Sequence, residues 1–140
     1  MQNYKNILVA LDIYRTYESV VERALKLAKK PADLSLLYVA MPHVYFEPYG
    51  AAFDANVVED LHAQSLQKLN AIASQYKIPA THVHCVVGHP ADEIHNKAET
   101  LKADLIVLGT HGHSGLKLLL GSTANAVLHG VQRDVLAVKV

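Results

Sequence analysis

Apolar residues along this chain follow two alternating patterns: short continuous runs, and recurrences at every third or fourth position. Continuous runs are typical of strands buried on both faces of a sheet, whereas recurrence at three and four is typical of amphipathic helices. The runs predict strands over residues 5–12, 34–40, 82–88, 104–110 and 134–140. Helices are predicted between them, the last over about 122–130, and the first three have these stripes: Tyr17, Val20, Val21, Ala24, Leu27 and Ala28; Leu61, Ser65, Leu69, Ile72 and Tyr76; Ala91, Ile94, Ala98 and Leu101.

Prolines agree with these helix boundaries. Pro31 and Pro79 follow the first two helical segments, and Pro90 suits the first turn of the third. Residues 42–56 have no sustained period and contain two prolines, which predicts a long loop. Its aromatic residues form a lid or a partner surface in one interpretation, and pack over an exposed edge in the other: Tyr45, Phe46, Tyr49 and Phe53.

Strands that alternate with helices indicate βαβ crossovers, and therefore a five-stranded parallel sheet with helices on both faces. No repeat or linker divides residues 1–140, so one domain is expected. Ligands of such sheets bind beyond the carboxyl ends of the strands, where the strand order reverses. With the order 3-2-1-4-5, the loops that meet at this point begin at Asp12 and at Gly109.

The composition narrows the class of protein. Lys plus Arg and Asp plus Glu both number 13, so no basic excess points to nucleic acid or to an anionic membrane surface. No apolar stretch approaches the roughly 18 residues of a membrane span, and the N-terminal pattern does not resemble a signal peptide. Cys85 is the only cysteine, which excludes an internal disulfide. A cytoplasmic location is therefore expected.

The stretch 109-GTHGHSGLKLLLGST-123 is the best candidate for chemistry, because it joins a predicted strand to a predicted helix. It lacks the Gly-Lys pair of a Walker loop, the G-x-G-x-x-G spacing of a dinucleotide site and the G-x-S-x-G of a nucleophile elbow. Its glycines leave backbone N–H groups free to donate to an anion, and the start of the helix adds N–H groups and a partial positive charge. Phosphate binding without a lysine is one interpretation. The other is ordinary punctuation, with Ser122 as an N-cap.

The chain resembles the universal stress protein family across essentially its whole length. The matching segments are 7-ILVALD, 36-LLYV, 87-VGHPADEI, 134-DVLAVKV, and a glycine loop in which Gly109, Gly112, Gly121 and Ser122 are similar to the G-x2-G-x9-G-[ST] of nucleotide-binding members. Here eight residues, 113 to 120, separate the second and third glycines, and Ala10 stands where those members often have proline.

The resemblance implies a flavodoxin-like α/β fold that binds ATP or a related adenine nucleotide. It implies that Asp12 lies near the ribose and adenine, with Ala10 beside it, and that Val39 and Leu108 border the adenine. It also implies a phosphate cradle formed by Gly109, Gly112, Gly121, Ser122 and Thr123. Histidine chemistry adds the hypothesis that His111, beside such a cradle, donates a hydrogen bond or becomes charged as the pH falls, which would make binding pH-sensitive. In the family the last strand commonly joins two subunits, so a homodimer through residues 134–140 is expected.

Charge limits the position of Asp12. A carboxylate about 4 Å from a phosphate oxygen is repelled by roughly 4 kcal/mol at an effective dielectric of about 20. Asp12 must therefore face ribose hydroxyls, lie behind a divalent ion, or contribute its backbone alone. Mg²⁺ bound through the nucleotide phosphates is the natural hypothesis. Lys117 is either a mobile counter-charge or a solvated loop lysine.

The nine histidines invite a metal interpretation. His82 and His84 lie two apart on a predicted strand and so share one face, and His111 and His113 lie in the glycine loop. Neither pair has a convincing third ligand, so no metal site is predicted. Cys85, inside an apolar run, is expected to be a small core residue rather than a nucleophile.

The leading hypothesis is a nucleotide-dependent binding module of the stress response. The alternative is a dimeric universal stress protein that binds no nucleotide and acts through protein contacts; the shortened loop and Ala10 favour it. No general base can be named, so efficient hydrolysis is not predicted, while slow turnover or autophosphorylation at Ser122 or Thr123 stays open. A small α/β enzyme would have only Asp12 and His111 as plausible catalytic groups.

Overall fold

The fold is described from a computed structural model, for residues 4–40, 55–110 and 122–140. The α-helices in these ranges are α1 (Glu18–Leu27), α2 (Ala55–Gln75), α3 (Pro90–Leu101) and α4 (Ser122–Leu128). The strands are β1 (Ile7–Ala10), β2 (Leu34–Ala40), β3 (Val83–Val87), β4 (Leu105–Gly109) and β5 (Asp134–Val138). Short 3₁₀ turns at Pro31–Asp33 and Ala80–His82 lead into β2 and β3.

The five strands form one parallel sheet in the order β3-β2-β1-β4-β5, which confirms the predicted fold class. In register, Val9 of β1 lies between Leu36 of β2 and Val107 of β4. The order reverses at β1, because β2 lies on one side of it and β4 on the other. The carboxyl ends of β1 and β4 therefore meet at the predicted switch point.

Alternate residues of each strand enter two separate cores, one on each face of the sheet. Residues such as Val9 and Leu36 pack against α1 and α2 in a first core, to which the helices contribute Val20, Val21, Ala24, Leu69, Ile72 and Ala73. Leu8, Leu37 and Ile106 pack against α3 and α4 in a second core, to which the helices contribute Ala91, Ile94, Ala98, Ala124 and Val127. Both faces of the central strands are buried, which explains their continuous apolar runs.

The element boundaries differ from the sequence prediction at several ends. β1 begins at Ile7 rather than residue 5, because the carboxylate of Asp104 accepts the backbone N–H groups of Lys5 and Asn6 at 2.9 and 3.0 Å. α2 begins at Ala55, inside the range predicted as a loop. The remainder of that loop, with its aromatic residues, lies outside the described residues. No helix in the described ranges is long and apolar enough to cross a membrane.

Candidate functional site

Small and medium apolar side chains form the floor of the switch point. Ala10 pairs with Leu108 of β4 and with Leu37 of β2. Val39 lies two residues after Leu37, on the same face of β2 and near the carboxyl end of that strand. All belong to the face that packs on α3 and α4. Leu108 is buried, whereas Ala10 and Val39 are only partly covered. The structure therefore places Val39 and Leu108, the two residues predicted to border an adenine, near Ala10 at the carboxyl end of the sheet.

Asp12 lies just beyond β1, and its carboxylate is held by its own loop. Oδ1 accepts the backbone N–H of Tyr14 at 3.2 Å, and Oδ2 is 3.6 Å from Nε of Arg15. The side chain is 30% exposed and that of Arg15 is 46% exposed, so this ion pair is largely screened by solvent. The carboxylate keeps lone pairs for further donors, such as ribose hydroxyls, and Arg15 offsets its negative charge.

A hydroxyl and aromatic cluster fixes the same loop to α2. The hydroxyl of Tyr14 is 2.8 Å from Oγ of Ser65, which is 1% exposed. The centroids of the Tyr14 and Tyr38 rings are 5.8 Å apart, in an edge-to-face arrangement. Nζ of Lys68 lies 5.1 Å from the centroid of the Tyr14 ring. The sequence pattern placed Ser65 on a helical stripe but gave no sign of these contacts, because it cannot show which side chains meet across the fold.

Gly109 ends β4, and packing alone explains the absence of a side chain there. A Cβ atom at this position would lie 3.2 Å from Cγ2 of Val140 and 3.5 Å from Cγ2 of Val20. The next residue is also fastened to the last strand, because the N–H of Thr110 donates to the carbonyl of Val138 at 2.9 Å. The hydroxyl of Thr110 in turn accepts the N–H of Val140 at 3.3 Å.

The far side of the predicted cradle is described only in part. Ser122 and Thr123 open α4, with Ser122 exposed and Thr123 half-buried, so both hydroxyls lie at the surface of the helix start. The other predicted members of this loop lie outside the described residues: His111, Gly112, Lys117 and Gly121. Their contribution stays a prediction.

The strand placement predicted for His82 is wrong. His82 lies in the 3₁₀ turn before β3, and its Nδ1 is 3.1 Å from the carbonyl of Leu34. His84 lies within β3, with a buried Nε2 that has no partner; burial, Lys97 and His82 lower its pKa. Among the described residues, no group of three or more acidic, histidine or cysteine side chains is arranged to hold a metal ion.

Cys85 is half-buried in β3, as expected for a small residue of the sheet. Its Sγ lies 3.9 Å from Nδ1 of His62 on α2. Burial raises the pKa of the thiol, which disfavours the thiolate that a nucleophile requires. The geometry therefore supports the structural interpretation of this cysteine.

An open groove of about 360 Å³ lies between α3 and the end of α4. Its lining residues are His95, Glu99, His129, Gly130, Gln132 and Arg133, none of which belongs to the predicted site. Arg133 is engaged there, donating from Nε to the carbonyl of Ala103 at 2.9 Å and from Nη2 to Glu99 at 3.0 Å. The groove combines both signs of charge with the carboxyl ends of two helices, so its chemistry favours no one ligand.

Strand order, two-sided burial and a polar edge at the switch point define the doubly wound α/β class of protein. Comparison with known proteins then specifies the family. The model of the universal stress protein family matches residues 3–139. This chain belongs to the universal stress protein family.

Two relatives that align with this chain over nearly the whole of both sequences support this assignment. The chain is 42% identical to universal stress protein A homolog 2 of Coxiella burnetii, over 100% of this chain and 98% of that protein. It is 35% identical to homolog 1 of the same organism, over 97% and 96% of the two chains.

Two solved structures extend the comparison. The hypothetical protein MJ0577 aligns with a TM-score of 0.82 and 27% identity, over 99% of this chain and 98% of that one. A universal stress protein in complex with cAMP aligns with a TM-score of 0.59 and 25% identity, over 98% of each chain. At least one protein of this fold and family therefore binds an adenine nucleotide.

Proposed function

We propose that this protein binds ATP, or a related adenine nucleotide, at the switch point of the sheet and acts as a nucleotide-dependent module of the stress response. The observation that carries the proposal is the convergence of Ala10, Asp12, Val39 and Leu108 at the carboxyl ends of three neighbouring strands. A partly covered apolar floor beside a carboxylate with spare lone pairs suits an adenine ring joined to a ribose. The cAMP complex of a structural relative supports the ligand class.

The charges of the described edge suit a phosphorylated ligand without a loop lysine. Arg15 offsets Asp12, and Lys68 adds a second cation over the ring of Tyr14. Asp12 is the only carboxylate among the described site residues, so Mg²⁺ would be held chiefly by the nucleotide phosphates. The hydroxyls of Ser122 and Thr123 would donate to the phosphates from the start of α4.

Calorimetric titration of the purified protein with Mg-ATP, AMP and cAMP tests the proposal, after any carried nucleotide has been removed and identified. We expect Asp12→Ala to weaken ATP binding by about tenfold or more, because it removes a charge-assisted hydrogen bond. Asp134→Ala is the matched control: it also removes one carboxylate and one hydrogen bond, to the hydroxyl of Tyr4 at 2.5 Å, but at the other end of the sheet.

The controls separate the two functions. Equal weakening by Asp12→Ala and Asp134→Ala would place the nucleotide elsewhere. No carried nucleotide and no heat at millimolar ATP would reject nucleotide binding and favour the alternative, a protein that acts through contacts of its dimer. In either function we propose a cytoplasmic homodimer joined through β5, which is an outer strand of the sheet.

A further inference from the structure

Tyr14 combines an exposed ring with an anchored hydroxyl. Its side chain is 55% exposed, which is unusual for a large aromatic residue among the described residues. Nevertheless its hydroxyl reaches Ser65, which is 1% exposed and lies on the buried side of α2. Burying a hydroxyl without a hydrogen-bond partner costs free energy, so formation of the Tyr14–Ser65 bond is favoured.

The backbone of Tyr14 makes the second contact. Its N–H donates to Oδ1 of Asp12, and the N–H of Arg15 donates to the backbone carbonyl of Asp12. Asp12 thus receives its orientation from Tyr14 and Arg15, two and three positions further along the chain. The ring of Tyr14 is in turn fixed by its edge-to-face contact with Tyr38 and by its hydroxyl.

We infer that Tyr14 is the positioning residue of the nucleotide site: anchored to Ser65 of α2, it holds the Asp12 carboxylate in the orientation that receives the ligand. The inference rests on the proposed function for the identity of the ligand, whereas the contacts of Tyr14 do not depend on it. Two hydrogen bonds and one ring contact converge on Tyr14, which therefore links the loop after β1 to both α2 and β2. Tyr14 need not touch the nucleotide to affect its affinity.

The experiment compares two tyrosine hydroxyls, one bonded to a residue of α2 and the other on the residue that follows α2 and bonded to α1. Tyr14→Phe removes the hydroxyl that reaches Ser65 and keeps the ring. Tyr76→Phe removes a hydroxyl that lies just beyond the other end of α2, 3.4 Å from the carboxylate of Glu22 on α1. The two readouts are ATP affinity by calorimetry and amide hydrogen exchange of residues 12–16, with the urea midpoint of each variant measured alongside.

We expect Tyr14→Phe to weaken ATP affinity about 3- to 10-fold and to speed exchange at the amides of Tyr14 and Arg15, whereas Tyr76→Phe changes neither. Ser65→Ala should reproduce both effects, and the double variant should add little, because the pair acts through one bond. A purely structural role would shift the urea midpoint while leaving affinity unchanged.

Failure of the inference about Tyr14 and failure of the proposed function would give different results. Wild-type affinity in Tyr14→Phe, or equal weakening by Tyr76→Phe, would overturn the inference. If the wild-type protein binds no nucleotide, the proposed function fails, and the exchange measurement alone decides: unchanged exchange in Tyr14→Phe would also overturn the role of Tyr14, whereas faster exchange would retain it as the anchor of the loop.

Discussion

Gly109 is a residue of the proposed phosphate cradle whose position is also constrained by internal packing. A Cβ there would point toward Val20 and Val140, on the first-core side of the sheet, rather than toward Ala10 and Leu108. A contact at 3.2 Å is tighter than ordinary van der Waals separation, so the side chain of Val140 would have to shift by a few tenths of an ångström. Packing therefore favours glycine at this position, whatever the loop beyond it binds.

Gly109→Ala is therefore expected to lower the free energy of unfolding by about 1–3 kcal/mol, as overpacking does in other cores. Urea unfolding followed by circular dichroism measures the loss. The double variant Gly109→Ala/Val140→Ala is the control, because removing the valine methyl groups makes room for the new Cβ. We expect the Gly109 substitution to cost clearly less in that background. An equal cost in both backgrounds would show that the strain lies in the backbone of Gly109 and not in its contact with Val140.

At the scale of elements, Arg133 joins the end of α3 to the start of β5, which are distant in the sequence. It precedes β5, and its side chain is 15% exposed where it crosses the end of α3. There Nε donates to the carbonyl of Ala103 and Nη2 donates to Glu99, whose own side chain is 75% exposed. The bond to the carbonyl is sheltered, whereas the ion pair is open to solvent and is worth little.

Arg133→Lys should lower the free energy of unfolding by about 1–2 kcal/mol, because a single ammonium group cannot reproduce the fork of the guanidinium. Glu99→Gln should cost less than about 0.5 kcal/mol, because an exposed ion pair contributes little. Paired urea titrations of the two variants decide between these contributions. A loss from Glu99→Gln as large as that from Arg133→Lys would make the ion pair, rather than the bond to Ala103, the main tie between α3 and β5.

The elements also show what the sequence pattern can and cannot predict. The central strands were predictable because both of their faces are buried, and Pro90 marked the first turn of α3. Strand ends were not, because they depend on distant partners: Asp104 takes the N–H groups of Lys5 and Asn6. His82 was misplaced since a three-residue turn has too few positions to show a period.

For the whole molecule, topology carried the prediction of the site further than any motif did. Strand order alone placed Asp12 and Gly109 at neighbouring strand ends, and the structure brings these ends together. What the sequence could not supply was the charge pairing of Asp12 with Arg15 and the anchoring by Tyr14 and Ser65, because both depend on side-chain positions after folding. Arg15, three residues along the chain, offsets part of the negative charge of Asp12.

At the scale of the whole molecule, we propose assembly into a homodimer through β5. Leu136, Val138 and Val140 alternate along the end of the chain and pack against its first core, with Val138 buried and the other two half-buried. Little of this face is left for a partner, so we expect pairing in the proposed dimer to use the outer backbone edge of β5. Because the carbonyl of Val138 accepts the N–H of Thr110, alternation along the strand directs the N–H of Ala137 outward.

We expect Ala137→Pro to convert the homodimer into a monomer, because proline removes an outward donor from the pairing edge. Size-exclusion chromatography with light scattering measures the mass, and circular dichroism checks that the fold is retained. Ala137→Val is the matched control, since it enlarges the side chain but keeps the N–H, and it should stay dimeric. A monomeric wild-type protein would reject the homodimer, and a dimeric, folded Ala137→Pro would move the interface away from β5. In the second case, the exposed Leu128 of α4 would be the next surface to substitute.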